Sequence, residues 1–336
     1  MSPIQNKTVR KQKLSQPGQL RADFKLSDIA EKLVSKSRKT VIDILNGKDK
    51  RKLMIVGPCS LDETDAIHEF VREIAPVAKE VENEAFVIVR ASPAKPRTTV
   101  GWRGLEQDSV EKAREQLVGV AEKLPLAIEL LEPHHLAWYG DLLSLGWIGA
   151  RSVEVQNLRL MASSAPKLPI FLKNRSDGAV MPAVQARATI AAEHHQVPLL
   201  DNDGVLALHD TPGNPNSAVI LRGAEGNVGN ITEEAINEVS KYNQLNQLTD
   251  TGVVIDVSHG NGAAETKGKS AAGQLKAFDR TLKLFAERPD KILGVMVEGY
   301  INEGNGLGYG LSRTDPCVDV ETTKNMIREF AKVLEK

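Results

Sequence analysis

The chain has 336 residues, and its 43 Lys and Arg against 44 Asp and Glu leave a formal net charge of −1. That balance provides no global field to gather nucleic acid or an anionic membrane, and an aromatic content of 4% offers little stacking surface for single strands. Two cysteines, Cys59 and Cys317, are too few for a disulfide framework and point to a reducing, cytoplasmic setting, and no apolar run is long enough to span a bilayer.

Met1 to Arg21 is basic and contains no Asp or Glu. It lacks the apolar core of a secretory signal, and it reads as a mobile or subunit-contacting arm, with a transit peptide as the alternative. Ser27, with Glu31 close behind, reads as the N-cap of an amphipathic helix over Asp28–Asn46, which Gly47 ends. Residues 1–48 are therefore expected to form an arm and helix, and residues 49–336 a catalytic domain.

From there the chain alternates between short apolar runs and helical segments. The runs are Leu53–Gly57, Ala85–Arg90, Leu126–Leu130, Trp147–Arg151, Pro169–Lys173, Ala218–Gly223, Gly252–Val257 and Ile292–Val297. They are nearly continuous in apolar residues, as strands buried on both faces should be. Amphipathic helices are expected between them, among them Ala66–Ala78, Val110–Lys123, Ala183–Ala192 and Gly273–Ala286. Eight such units predict an α/β fold, a (β/α)8 TIM barrel with an N-terminal helical extension. The rival, a doubly wound open sheet, would carry a Gly-rich phosphate turn after its first strand, and Gly57–Ser60 (GPCS) is not one. The irregular stretch 199–216 reads as a small hairpin inserted before strand 6.

The chemistry is positional. The runs end at or near Cys59, Arg90, Glu129, Arg151, Lys173, Arg222, His259 and Glu298. In a parallel barrel these ends share one mouth, where active sites of this fold are built. Ion-paired plugs are the alternative for any single residue; for the whole set a common function is the better reading. Arg90, Arg151, Lys173 and Arg222 are four cations converging on one space, so an anionic ligand is expected to relieve their repulsion. Cys59, His259 and Glu298, with Asp315 in the loop after the last run, make a plausible mixed shell for a first-row metal. His134 and His135, on a loop, and His194 and His195, near a helix end, read as solvated. Cys317 reads as a small buried side chain, and Gly304–Gly310 as a flexible connection to Asp315.

The segment Arg90–Gly104, RASPAKPRTTVGWRG, resembles the class I 3-deoxy-D-arabino-heptulosonate 7-phosphate (DAHP) synthases, in their microbial, aromatic-amino-acid-regulated branch. The resemblance continues in IVGPCS (Ile55–Ser60), IGAR (Ile148–Arg151), LKN, ILRG (Ile220–Gly223), DVSHGN (Asp256–Asn261), GVMVE (Gly294–Glu298), EGN (Glu303–Asn305) and TD (Thr314–Asp315). It implies the first step of the shikimate pathway, the condensation of phosphoenolpyruvate with erythrose 4-phosphate. It implies a divalent metal (manganese, iron, cobalt or zinc) held by Cys59, His259, Glu298 and Asp315. It places phosphoenolpyruvate against Arg90, Glu129, Arg151, Lys173 and Arg222, and erythrose 4-phosphate against Lys95, Pro96, Arg97 and Thr98. Lys95, Arg90 and His259 would stand at the reacting centre, with Lys95 as general acid. A homodimer or homotetramer is implied.

The sequence also departs from the family pattern. Arg175-Ser176 stands where Gly-Thr is usual, which raises the alternative of a paralogue using another aldose phosphate; a non-catalytic regulatory homologue is a third reading. The hairpin region 200–211, the loop ELLEPHHL (Glu129–Leu136), Pro166-Lys167, Tyr300 and Pro316 differ as well. Because several of these segments border the inhibitor pocket in relatives, altered inhibition by phenylalanine or tyrosine is expected, with retained inhibition by one of them as the alternative.

Overall fold

The computed structural model describes residues 14–97 and 101–335. Eight parallel strands close into a barrel in sequential order. They are β1 (Lys52–Gly57), β2 (Ala85–Arg90), β3 (Leu126–Glu129), β4 (Leu145–Ile148), β5 (Ile170–Lys173), β6 (Val219–Leu221), β7 (Val253–Asp256) and β8 (Ile292–Glu298). β8 pairs with β1 to complete the ring, Met54 facing Val295 and Gly57 facing Glu298.

Side chains alternate along a strand, so every second residue points into the barrel. The interior is filled by Leu53, Ile55, Ile88, Ala127, Leu145, Trp147, Phe171, Ile220, Val254 and Met296, all fully buried. The Leu, Ile, Val, Met and Phe side chains among them each contribute on the order of 1.5–3 kcal/mol through burial. The opposite parity packs outward against the helices, with Val56, Val89, Ile128, Leu172, Ile255 and Val297 in that larger cluster.

The expected helix after Ser27 spans Asp28–Leu45, and the Ser27 side chain accepts from the Ala30 N–H. Its Val41, Ile44 and Leu45 pack onto the interior cluster and close the barrel's N-terminal end. A shorter helix, Pro17–Asp23, precedes it, and residues 1–13 of the expected arm lie outside the described residues.

Two antiparallel hairpins decorate the barrel. One pairs Lys95–Arg97 with Gly101–Arg103 just after β2. The other pairs His194–Leu200 with Leu206–Thr211, so the insertion before strand 6 begins earlier than the irregular composition suggests. Among the described residues no helix is long and apolar enough to cross a membrane.

Candidate active site

The interior register explains the site. Two residues beyond the inward apolar side chains Ile88, Ala127, Phe171, Ile220, Val254 and Met296 stand Arg90, Glu129, Lys173, Arg222, Asp256 and Glu298, all buried. Inward parity therefore carries a polar layer over the apolar one at the C-terminal mouth. Glycines take the matching positions in the other two strands. A Cβ on Gly149 would fall 1.9 Å from Glu129 Oε1, and one on Gly57 would fall 2.1 Å from the Arg90 carbonyl oxygen.

The cations are not left to repel one another. Arg90 donates to Glu298 Oε1 at 2.9 Å, Lys95 to Glu129 Oε2 at 2.6 Å and Lys173 to Asp256 Oδ2 at 2.6 Å. This corrects the expectation of four mutually repelling cations, because buried carboxylates already offset two of the four, Arg90 and Lys173, and a third such pair holds Lys95. An anion is instead called for by what is left over. Arg90 Nε and Nη1 are buried without a hydrogen-bond partner, and an unsatisfied buried donor is costly. Arg222 is buried, and among the described residues its guanidinium hydrogen-bonds only the Gly223 carbonyl, at 3.5 Å. Trp147 forms a floor, with the Arg90 guanidinium 5.3 Å and the Lys173 ammonium 5.9 Å from its ring centroid.

Arg151 sits differently from expectation. β4 ends at Ile148, and Arg151 lies three residues beyond in the turn, with 48% of its side chain exposed and Glu225 3.8 Å away. It still lines the cleft with Lys95, Pro96, Lys173, Ser176, Arg222 and His259. Thr98 and the side chain of Arg97 lie outside the described residues.

Ionisation follows these pairings. Burial alone would raise the Glu129 carboxyl, but Lys95 and Lys173 outweigh it and hold it at about 2. The same contest holds Asp256 well below the usual carboxylate range, with His259 and Lys173 as the opposing charges. Burial pulls the Lys95 ammonium down while Glu129 and Cys59 push it up, and the net shift is upward. Lys173 is lowered, chiefly by burial, with Asp256 opposing.

Cys59, Glu298 and Asp315 come together from the loop after β1, the end of β8 and the loop beyond it. Their ligand atoms all lie within 4.8 Å of one another, and all three residues are buried. His259, the fourth expected ligand, stands at the edge of this group, with Nε2 3.7 Å from Glu298 Oε1 and Nδ1 2.9 Å from Asp256 Oδ2. Burial, then Glu298 and Asp315, push the Cys59 thiol up to about 12. One sulfur and two carboxylates converging in a buried space offer mixed sulfur and oxygen donors, and such a donor set fits a divalent cation.

A single amide pins the backbone of these ligand segments. Buried Gln274 accepts from Ser258 Oγ at 2.7 Å and from the Glu298 N–H at 3.0 Å. It donates to the carbonyls of Glu298 at 3.1 Å and Pro316 at 3.0 Å. Asn174, Asn230 and Asn261 similarly lace the ends of β5, β6 and β7, with the Arg222 N–H donating to Asn174 Oδ1 at 2.7 Å and Asn261 Nδ2 to the carbonyls of Leu221 and Asp256. Asp256, Gln274, Lys269 and Trp147 were not among the expected site residues. Strand register would have found Asp256, two places beyond Val254.

The histidine pair needs correction. His134 opens a short helix, His134–Tyr139, and His135 is fully buried rather than solvated. Its Nδ1 accepts from the Leu131 N–H, so Nε2 carries the proton and donates to Glu106 at 3.2 Å, while Tyr139 donates to the other oxygen at 3.0 Å. Glu106, His134 and His135 also lie within 4.8 Å of one another, but this tautomer points no His135 lone pair at Glu106. Arg175 is half-exposed and paired with Asp177 and Glu154, and it does not line the cleft, whereas Ser176 does. Cys317 is buried as expected.

A family model described as the DAHP synthetase I family matches residues 21–335. A phenylalanine-inhibited phospho-2-dehydro-3-deoxyheptonate aldolase of Saccharomyces cerevisiae is 34% identical, over 95% of this chain and 90% of its own length. A Tyr-sensitive phospho-2-dehydro-3-deoxyheptonate aldolase of Escherichia coli is also 34% identical, over 95% and 92%. The solved structure of the Francisella tularensis phospho-2-dehydro-3-deoxyheptonate aldolase superposes with a TM-score of 0.90 at 30% identity, covering 97% of this chain and 98% of that one. The chain belongs to the DAHP synthetase I family.

Proposed function

We propose that this enzyme condenses phosphoenolpyruvate with erythrose 4-phosphate in a metal-dependent reaction in the cytoplasm. The observation that carries the reading is Arg90, a fully buried guanidinium with two unpartnered nitrogens beside the Cys59–Glu298–Asp315 group. A carboxylate or phosphate satisfies such a fork bidentately. Lys173, Arg222 and Arg151 extend the anion-binding surface outward, and Glu129 keeps Lys95 charged and placed. Pro96 and the Lys95–Arg97 strand form the side of the cleft where the aldose phosphate would lie, with Arg97 and Thr98 assigned to it by resemblance.

A bound divalent cation, held by Cys59, His259, Glu298 and Asp315, would supply Lewis acidity at the aldehyde oxygen. C3 of phosphoenolpyruvate attacks the aldehyde carbon, and the electron pair released onto oxygen takes a proton. The Lys95 ammonium, raised in pKa and tied to Glu129, is the donor at hand, directly or through a water. Water adds at C2, and the C2–O bond to phosphate breaks. Arg90, Lys173 and Arg222 hold the carboxylate and the departing phosphate through these charge changes. We further read residues 1–48 as an arm and helix appended to a catalytic barrel at 49–336, and the assembly as a homodimer or homotetramer. Outward-facing Leu206 and Leu208 on the inserted hairpin support the assembly reading.

The paralogue reading loses its motive, because Arg175 is spent on Asp177 and Glu154. The deciding assay is phosphate release from phosphoenolpyruvate with Mn²⁺ across four- and five-carbon aldose phosphates. Turnover fastest with erythrose 4-phosphate is expected; turnover with another aldose alone would establish the paralogue, and turnover with none would remove the catalytic reading.

A further inference from the structure

Lys269 stands in the cleft without a part in the reading above. It lies between the helix Gly260–Thr266 and the helix Ala271–Glu287, and both ends of that connection are fixed. Lys267 takes a left-handed conformation, and the Gly268 N–H donates to the Ala263 carbonyl at 3.0 Å. Thr266 Oγ1 donates to the Gly268 carbonyl at 2.8 Å, and Ser270 caps the second helix by accepting from Gly273. The backbone at Lys269 is therefore anchored, while its side chain is 36% exposed at the cleft wall. Its Nζ lies 2.6 Å from Asp315 Oδ2, and Asp315 is itself buried.

Asp315 thus belongs to two groups at once. It converges with Cys59 and Glu298 in a donor set suited to a cation, and it is held by an ammonium that shares a cleft with Lys95, Arg151, Lys173 and Arg222. An ammonium on one oxygen of a buried carboxylate and a divalent cation on the other repel each other at short range, so each weakens the other's hold. Lysine suits an exchange of partners, since its charge is a point on a flexible four-carbon stem with rotatable donors. Once released, Nζ has an anion-binding wall beside it and a phosphorylated ligand within the same cleft.

We propose that Lys269 is an exchangeable counterion: it neutralises Asp315 while the cation site is empty, leaves Asp315 when a metal enters, and then pairs with the phosphorylated substrate. Metal and substrate binding then favour one another, because each takes up a group that the other sets free. The proposal rests on the Cys59–Glu298–Asp315 metal reading.

The test is Mn²⁺ binding, followed by the electron paramagnetic resonance of free Mn²⁺, so no turnover is needed. Wild type, Lys269→Met and Lys269→Arg are titrated with and without phosphoenolpyruvate. Without phosphoenolpyruvate, Lys269→Met should bind Mn²⁺ more tightly than wild type, on the order of tenfold, because the competing cation is gone. Lys269→Arg should stay near wild type. Phosphoenolpyruvate should tighten Mn²⁺ binding to wild type by more than it does in Lys269→Met. Equal or weaker Mn²⁺ binding by Lys269→Met would overturn the competition, and equal enhancement in both proteins would overturn the hand-over to substrate. Failure of wild type itself to bind Mn²⁺ would sink the metal reading, which separates that failure from one of Lys269 alone.

Discussion

Replacing Asp256 with asparagine removes one negative charge from the floor of the site and changes almost nothing in shape. Asp256 is fully buried, with Lys173 Nζ at 2.6 Å and His259 Nδ1 at 2.9 Å. Breaking a buried pair by neutralising one member typically costs about 3–5 kcal/mol, because the survivor is left charged in a poor solvent. Unfolding entropy of about 2.1 cal/mol/K per residue gives about 0.7 kcal/mol/K for a chain of this length, so Asp256→Asn should lower Tm by about 4–7 °C. Differential scanning calorimetry of the metal-free protein measures this directly. The deficit should also depend on pH in a defined sense. Lys173 already titrates below its ordinary 10.5 because of burial, with Asp256 opposing the shift. Without Asp256 it should titrate lower still, and a base with a depressed folded pKa destabilises the fold as pH falls through that range. The deficit should therefore be larger at neutral pH than at pH values approaching the ordinary lysine range. A Tm within about 1 °C of wild type at neutral pH would mean that Lys173 draws its compensation from elsewhere, and the pairing argument would fail.

Cys59→Ala should lose Mn²⁺ binding in the same titration while keeping its far-ultraviolet circular dichroism, since a thiolate donor is removed and only a small buried volume with it; unchanged Mn²⁺ affinity would take Cys59 out of the ligand set. Gly149→Ala drives a methyl group into Glu129 Oε1, so it should cost about 1–3 kcal/mol by overpacking. Combined with Glu129→Ala its cost should largely vanish, and full additivity in that double-mutant cycle would disprove the contact. His134 is held at about 4, below its ordinary 6.5, chiefly by burial. Its unfolded form takes up a proton through a pH range where the folded form does not, so stability is lost as pH falls from 6.5 toward 4. His134→Gln should flatten that part of the stability profile, and an unchanged slope in urea titrations would refute the assignment.

The barrel was readable because strands covered on both faces leave no polar positions to break the apolar runs. The same property blurred their ends. Trp147-Ile148-Gly149-Ala150 remains apolar past the last ladder bond, so the pattern carries Arg151 onto a strand, whereas it lies in a turn. The ligand residues were visible as a change from apolar to ionisable at each strand's end, and parity then accounts for Arg90, Glu129, Lys173, Arg222 and Glu298. What spacing could not carry was pairing. Lys269 meets Asp315 across 46 positions, and His135 meets Glu106 across 29. Nothing local in either segment signals its partner, so the sequence alone does not single out Lys269 and reads His135 as solvated. The carboxylates that pair the cations were likewise present in the sequence, but only the closed ring brings Glu298 beside Arg90 and Asp256 beside Lys173.

Trp147 gives the barrel an optical consequence. Its indole is fully buried at the base of the cleft, with the Arg90 guanidinium and the Lys173 ammonium near its ring. The emission colour of an indole responds to the electric field across it, and here two of the strongest local charges belong to the groups that would receive an anion. Filling the cleft therefore changes the field at the chromophore without touching it. Trp138, on the helix after β3, is the other described tryptophan side chain, and its ring packs against His134 with centroids 4.2 Å apart. Tryptophan emission can thus follow the arrival of a ligand in real time, in the native sequence and with no label attached, and the part of the signal lost in Trp147→Phe is the part that comes from the barrel's centre.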